Sequence, residues 1–349
     1  MTSGPEGLAE RPLVTFALFA YNQERFVKDA IEGAFSQTYE PLEIILSDDC
    51  STDRTFEFIQ EMAANYCGPH KLVINRTPVN GGTLRHISNA ISKASGKLIV
   101  VAAGDDISSP NRAECLYVAW KNSGAWGLFS KFDIIDEFGG IKKQNMRLSA
   151  TNIGGAKFIR SDKSLGFIHG ATSAYDIRLF GFLPETKKVV LHEDAVFSLL
   201  INLIGQKIHF CDKSLVRYRE HDFSLSNNNR ASNSIETLRL SEQRENGFAK
   251  YFLNLVDYII QELVPFLDKD FEKSSQSVDY NFIGGYRNFY ALQAEMTSAN
   301  FSARIGMLFR FRSAAAWRWV IPRLFGINVL FLCKKHLKYV FKSDLTRLE

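Results

Sequence analysis

Along the first 135 residues, short apolar runs alternate with stretches whose apolar positions recur at helical spacing. Residues 13–19 (LVTFALF), 43–47 (EIILS), 72–74 (LVI) and 97–101 (KLIVV) have the near-continuous apolar character of strands buried on both faces. Between them, Phe26, Val27, Ala30, Ile31, Ala34 and Phe35 keep helical spacing behind Asn22, the expected cap. Phe56, Phe58 and Ile59 mark a second helix, and Leu84, Ile87, Ile91 and Ala94 a third. This alternation predicts parallel βαβ units and therefore an α/β fold with a mostly parallel central sheet. A further helix is expected from Ser109-Pro110, then two strands at 126–130 and 132–135. Glu193-Asp194 opens a helix with Val196, Leu199, Leu200 and Leu203 on one side, and strand-like segments follow at 207–210 and 215–218. Residues 222–234 form a break rich in Asn and Ser, beyond which helical periodicity dominates. The expected organisation is a polar tail over residues 1–11, an α/β domain over 12–230 and a helical C-terminal region over 231–349.

A chain of 349 residues with 46% hydrophobic content has enough apolar material for one large core and an appendage. Its five cysteines, Cys50, Cys67, Cys115, Cys211 and Cys333, are odd in number and include no Cys-x-x-Cys, which argues against a disulfide framework or a zinc site and for a reducing compartment. No basic start followed by an apolar core segment opens the chain, so export is not expected and the cytoplasm is. The net charge of +4 is unevenly distributed: residues 301–349 hold ten Lys/Arg against two Asp/Glu, a net of +8, which leaves −4 for residues 1–300. The tail's apolar run at 325–333 falls well short of the ~20 residues that span a bilayer. Trp317, Trp319, Phe325, Leu330 and Phe331 interleaved with Arg318, Arg323, Lys334, Lys335 and Lys338 instead have the character of a basic amphipathic helix pair, suited to a membrane surface or, alternatively, to packing on the α/β domain with a solvated basic face. The expectation is peripheral attachment to the inner face of the cell membrane. Nucleic acid is not an expected partner, because the cations share the tail with bulky aliphatics and no recognition motif accompanies them.

The chemistry concentrates at strand ends. Gly104-Asp105-Asp106 follows the run at 97–101, and Asp48-Asp49 and Tyr21-Asn22 follow two others. Parallel strands bring their carboxyl ends to one edge of the sheet, where open α/β folds bind ligands. Adjacent carboxylates there suit a hard divalent cation that completes its shell with substrate phosphates, which implies a diphosphate ligand.

These motifs in this order, Phe19-Ala20-Tyr21-Asn22, Ser36-Gln37-Thr38, the segment 47–55 (SDDCSTDRT) and Gly104-Asp105-Asp106, resemble the family 2 glycosyltransferases, whose fold is the GT-A (Rossmann-like) nucleotide-sugar domain. The resemblance spans roughly residues 12–225. It implies that Tyr21 stacks on the nucleobase and Asp49 accepts its ring N–H, which uracil, thymine and guanine offer and cytosine does not. It further implies that Asp105 holds the ribose, and that Asp106 holds an Mn²⁺ or Mg²⁺ ion bridging the phosphates. His192-Glu193-Asp194 resembles the family's Glu-Asp motif, whose second carboxylate, here Asp194, is the general base of an inverting transfer. His221, in Arg217-Tyr218-Arg219-Glu220-His221, is expected at the donor phosphates or the metal, and Arg85 at the diphosphate; His169-Gly170 falls on the acceptor side. The implied activity is transfer of a sugar from a UDP-linked donor, with dTDP or GDP as alternatives, to a hydroxyl of a surface polysaccharide or lipid-linked glycan. A sugar-nucleotide pyrophosphorylase would want a Gly-rich basic loop after the first strand, where Phe19-Ala20-Tyr21-Asn22 stands; a non-catalytic glycan-binding protein would not need Asp106 and Asp194.

Overall fold

The computed structural model describes residues 11–147, 168–221 and 249–269, together with Val278, Ile283, Arg287 and Ala291. The chain divides into two compact units, Met1–Ser224 with Asp257–Tyr280, and Leu225–Val256 with Asn281–Glu349. The sheet and the helices packed on it belong to the first unit. The amphipathic tail at 301–349 and the break at 222–234 lie outside the described residues. Among the described residues, no helix is long and apolar enough to cross a membrane.

The α/β class and the mostly parallel sheet are as expected. Strands β1 (Val14–Ala20), β2 (Leu42–Asp48), β3 (Lys71–Arg76) and β4 (Leu98–Ala103) run parallel in the order β3-β2-β1-β4. Every residue of β1 and β2 is buried, which accounts for their unbroken apolar sequence. One face, carrying Phe16, Leu18, Ile44, Leu46 and Val100, packs with α1 (Val27–Phe35), α2 (Thr55–Ala64) and α4 (Arg112–Ser123) in a single apolar cluster. On the other face Phe19 meets His86 of α3 (Thr83–Ile91) edge-on at 5.1 Å.

Beyond β4 the sheet becomes mixed and reaches nine strands. The short β5 (Ile107–Ser108), β6 (Gly127–Ile135), β7 (Ile141–Met146), β8 (Ser173–Asp176) and β9 (Ile208–Arg219) complete it, with helix α5 (Glu193–Leu203) between the last two. Strand β8 lies antiparallel between β4 and β6, and β9 runs parallel to β6 and antiparallel to β5.

Several local expectations are corrected. The two strands expected at 126–130 and 132–135 are one, β6, and those at 207–210 and 215–218 are one, β9. Both interruptions are the same irregularity: Ser130 to Phe132 on β6 faces Cys211 to Val216 on β9, so that the extra residues of β9 bulge. Asp212 pairs with Lys131 and the Ser214 hydroxyl donates to Asp133 at 2.7 Å, so the bulge is held by side chains. Asn22 does not cap α1, which begins at Val27; it takes a left-handed φ of 51° and bonds to another loop. Helix α4 begins at Arg112 rather than at Ser109-Pro110.

Candidate active site

The ends of β1 and β2 are laced together by side chains. The Asn22 N–H donates to Ser51 Oγ at 2.9 Å and its Oδ1 accepts the Thr52 N–H at 2.8 Å. The Gln23 N–H donates to Thr55 Oγ1, that of Glu24 to Asp53 Oδ2, and that of Arg54 to Glu24 Oε2. Tyr21 stands at this rim, 43% exposed. Asp49 is buried beside it, with its N–H on the Ala20 carbonyl at 3.0 Å. Asp49 Oδ1 accepts the Thr77 hydroxyl at 2.7 Å and the Gly81 N–H at 3.2 Å, which ties the loop before α3 to the end of β2. Asp49 is therefore a loop clamp and not a cap of α2, whose N-cap is Arg54. Arg85 stands half-buried over Gly81, where an added Cβ would lie 3.1 Å from its own.

The turn after β4 is fixed by close approach and by a buried arginine. A side chain at Gly104 would place its Cβ 2.5 Å from Gln23 Oε1 and 2.8 Å from Ala20 Cβ, so only glycine lets the turn sit against β1. Asp106 is buried; one oxygen accepts the Arg219 N–H at 2.8 Å and the other, Oδ2, has no hydrogen-bond partner. Burial, reinforced by the Asp105 charge, raises its carboxyl well above the ordinary range. The Arg219 side chain turns inward: Nε donates to the Asp105 carbonyl, Nη1 to the Glu137 carbonyl, and Nη2 to Asp29. It braces this turn rather than facing outward. His221 Nε2 meets Asp105 Oδ2 at 3.0 Å, with the imidazole on Phe26 at 4.6 Å between ring centres.

A second pair of carboxylates opens α5. Asp194 Oδ1 accepts its neighbour Ala195's N–H at 2.8 Å, and the Gly170 N–H also reaches the carboxyl. Desolvation raises Asp194 to about 6, and the half-buried Glu193 beside it rises as well, through desolvation and then the charge of Asp194. A Cβ on Gly170 would meet Glu193 Oε1 at 2.8 Å. The Thr83 hydroxyl lies within reach of Glu193 and of the Val190 carbonyl, and the Leu84 N–H donates to that carbonyl, so α3 and the approach to α5 are joined. His169 packs against Phe132 and Tyr218; burial pushes its imidazole down to about 4, and Nδ1 has no partner.

Residues 15–181 match the family described as Glycosyl transferase family 2. The chain carries a family 2 glycosyltransferase domain. EpsE of Bacillus subtilis (strain 168), which bears a glycosyltransferase name, is 37% identical over 114 residues, covering 33% of this chain and 38% of EpsE. Glycosyltransferase GlyG of Streptococcus pneumoniae serotype 4 is 32% identical over 110 residues, covering 30% of this chain and 34% of GlyG. The chain thus matches well under two thirds of the length of these relatives. Among solved structures, residues 1–349 of S. aureus TarS in complex with UDP-GlcNAc overlay with a TM-score of 0.48 at 14% identity, covering 84% of this chain and 83% of that one. That overlay is too loose to place a ligand.

Within the family 2 domain, Tyr21, Asp49, Asp105 and Asp106 all stand at the carboxyl ends of the parallel strands, and His221 joins Asp105 from the end of β9. Asp194 and His221 lie beyond the matched segment. Among the described residues, no three His, Cys, Asp or Glu side chains converge to cage an ion. The donor set nevertheless suits a hard divalent cation of the kind that takes one or two protein carboxylates and the rest from phosphate, because the buried Asp106 Oδ2 is unpartnered.

The residue that sequence reasoning missed is Arg112. It is fully buried, and desolvation lowers its guanidinium to about 9. Its Nη1 donates to Ser108 Oγ at 2.9 Å, while Nη2 donates to the carbonyls of Val101 at 2.6 Å and Ala171 at 3.1 Å. At the start of a helix after Pro110-Asn111 it has the sequence character of a surface residue. No local signal distinguishes it.

Proposed function

We propose that this chain is an inverting, metal-dependent glycosyltransferase of the GT-A type, taking a sugar from a UDP-linked donor to a hydroxyl of a surface polysaccharide or lipid-linked glycan. The observation that carries this reading is the desolvated Asp194 at the start of α5, joined through Gly170 and Arg112 to the Asp105-Asp106 turn. A carboxylate raised to about 6 is ionised at pH 7 and more basic than an ordinary aspartate, which suits removal of a proton from an attacking hydroxyl.

Tyr21, exposed at the rim, offers a face for the base. Asp49 has one oxygen engaged by Thr77 and Gly81, which leaves Oδ2 to accept the ring N–H of uracil. Asp105 takes the ribose side, Asp106 and His221 the metal, and Arg85 the diphosphate. A divalent ion held there supplies charge neutralisation of the leaving diphosphate, so no protein acid is required. Asp194 takes the acceptor's proton as its oxygen attacks the anomeric carbon from the face opposite the diphosphate.

The test is to incubate the protein with UDP-, dTDP- and GDP-sugars and Mn²⁺, and to follow release of nucleoside diphosphate with and without glycan acceptors. Binding and turnover of a UDP-sugar that require Mn²⁺ are the expected result. Failure to bind any of these donors would overturn the reading.

A further inference from the structure

We propose that Arg112 is a positioning residue that fixes the Asp105-Asp106 turn against the Gly170 turn, and so keeps the diphosphate-binding carboxylates in register with Asp194. The proposal rests on the nucleotide-sugar reading above and extends it to a residue outside the rim.

The local electrostatics give no reason for an arginine here. Arg112 is the first residue of α4, where a cation meets the positive end of the helix dipole, and it is wholly removed from water. Among the described residues it has no carboxylate at ion-pair distance; the acidic side chain in electrostatic range is Asp106. Its bonds go instead to neutral acceptors on three segments. Val101 and Ser108 flank the Asp105-Asp106 turn on either side, at 2.6 and 2.9 Å. Ala171 and Ser173, at 3.1 and 3.4 Å, follow Gly170, whose N–H reaches Asp194. Nη2 faces the three carbonyls while Nη1 reaches the Ser108 hydroxyl, so two arms of one rigid plane hold both sides at once, whereas the three donors of lysine's ammonium all sit on one nitrogen. Arg112 therefore closes the loop of chain that carries one carboxylate pair and links it to the turn that orients the other.

The experiment measures, by calorimetry, how far Mn²⁺ tightens binding of UDP, with uridine as the control that reports the base and ribose site alone. In Arg112→Met the Mn²⁺-linked gain in UDP affinity is expected to fall at least about tenfold, while uridine affinity stays within about twofold of wild type. Ser108→Ala, which removes one acceptor, should lose about two- to fivefold of the gain. Arg112→Lys, which keeps the charge without the fork, should resemble the Met variant. A purely structural role would weaken UDP and uridine together. That outcome, an unchanged gain, or a wild-type gain in Arg112→Lys would overturn the assignment. If Arg112→Met does not fold, Ser108→Ala and Arg112→Lys decide by the same comparison. A wild-type protein that binds no UDP in the presence of Mn²⁺ defeats the nucleotide-sugar reading itself, whereas a wild-type gain that survives in the variants defeats only the role of Arg112.

Discussion

The turns at the ends of β1 and β2 and the turns that carry the two carboxylate pairs satisfy their hydrogen bonds in opposite ways. In the first region loop N–H groups of Asn22, Gln23, Glu24, Thr52 and Arg54 find side-chain oxygens, and Asp48 Oδ2 is the exception, buried without a partner. In the second, Asp106 Oδ2, His169 Nδ1 and Arg112 Nε are all buried without one. Unpaired polar atoms in a low-dielectric interior are costly, so their clustering sets the second region apart from the first. The first region is closed almost entirely by its own side chains, whereas the second keeps three buried polar atoms unpaired.

The sharpest way to separate the regions is Asp194→Asn. An amide keeps the shape and cannot take the proton, so turnover should fall by about 10²–10⁴-fold, with UDP affinity close to wild type. Steady-state rates beside calorimetry check this, and a normal rate would move the base to Glu193. In the wild type, the rate should rise with pH through about 6 as Asp194 ionises, and that limb should vanish in the variant.

Next in size is Asp106→Ala, expected to weaken Mn²⁺-dependent UDP binding by at least about tenfold while uridine binding is spared. Equal loss of both in the titrations would show that the carboxylate only holds the turn. Gly170→Ala drives a methyl to within 2.8 Å of Glu193 Oε1, the free end of a side chain that can shift, so it should cost about 1 kcal/mol of stability or less, with a larger loss in turnover than in nucleotide affinity. Thermal melts and kinetics together test that split.

A smaller effect is expected in the first region. Thr77→Val removes one of the two donors to Asp49 Oδ1 and should weaken uridine binding by a few-fold, on the order of 1 kcal/mol. A stability measurement completes the comparison. Because the native fold raises the Asp194 pKa, the native state holds that proton more tightly than the unfolded chain does. The stabilisation is present below about 4 and is lost as pH rises through about 6. The melting temperature of Asp194→Asn relative to wild type should therefore climb between pH 4 and 6 and level off above.

The central strands were legible because burial on both faces forces an unbroken apolar run, as in β1 and β2. Strand β7 (IKKQNM) was not, because five of its six residues are exposed and nothing in their polarity marks a strand. The expected split of β6 at Lys131 has a similar cause: a cation within an apolar run signals a loop, whereas its partner Asp212 is supplied by a distant segment. The rim carboxylates could be found because strand-end turns concentrate polar residues locally. Arg112 could not, since its meaning comes from Ala171 and Ser173, about sixty positions away and brought near by the antiparallel insertion of β8.

The bulge in β9 sets the reach of a lever. Two steps along β6, Ser130 to Phe132, are matched by five along β9, Cys211 to Val216, before regular pairing resumes and delivers Arg219 to Asp106 and His221 to Asp105. Removing Lys213, an exposed residue in that slack, would draw the strand back by one position unless the bulge absorbs the change. Without that adjustment every later side chain would change faces, and Arg219 and His221 would be carried off the turn. The molecule thus contains a natural site for length variation, where shortening by a single residue tests how much tolerance separates a working rim from a misaligned one.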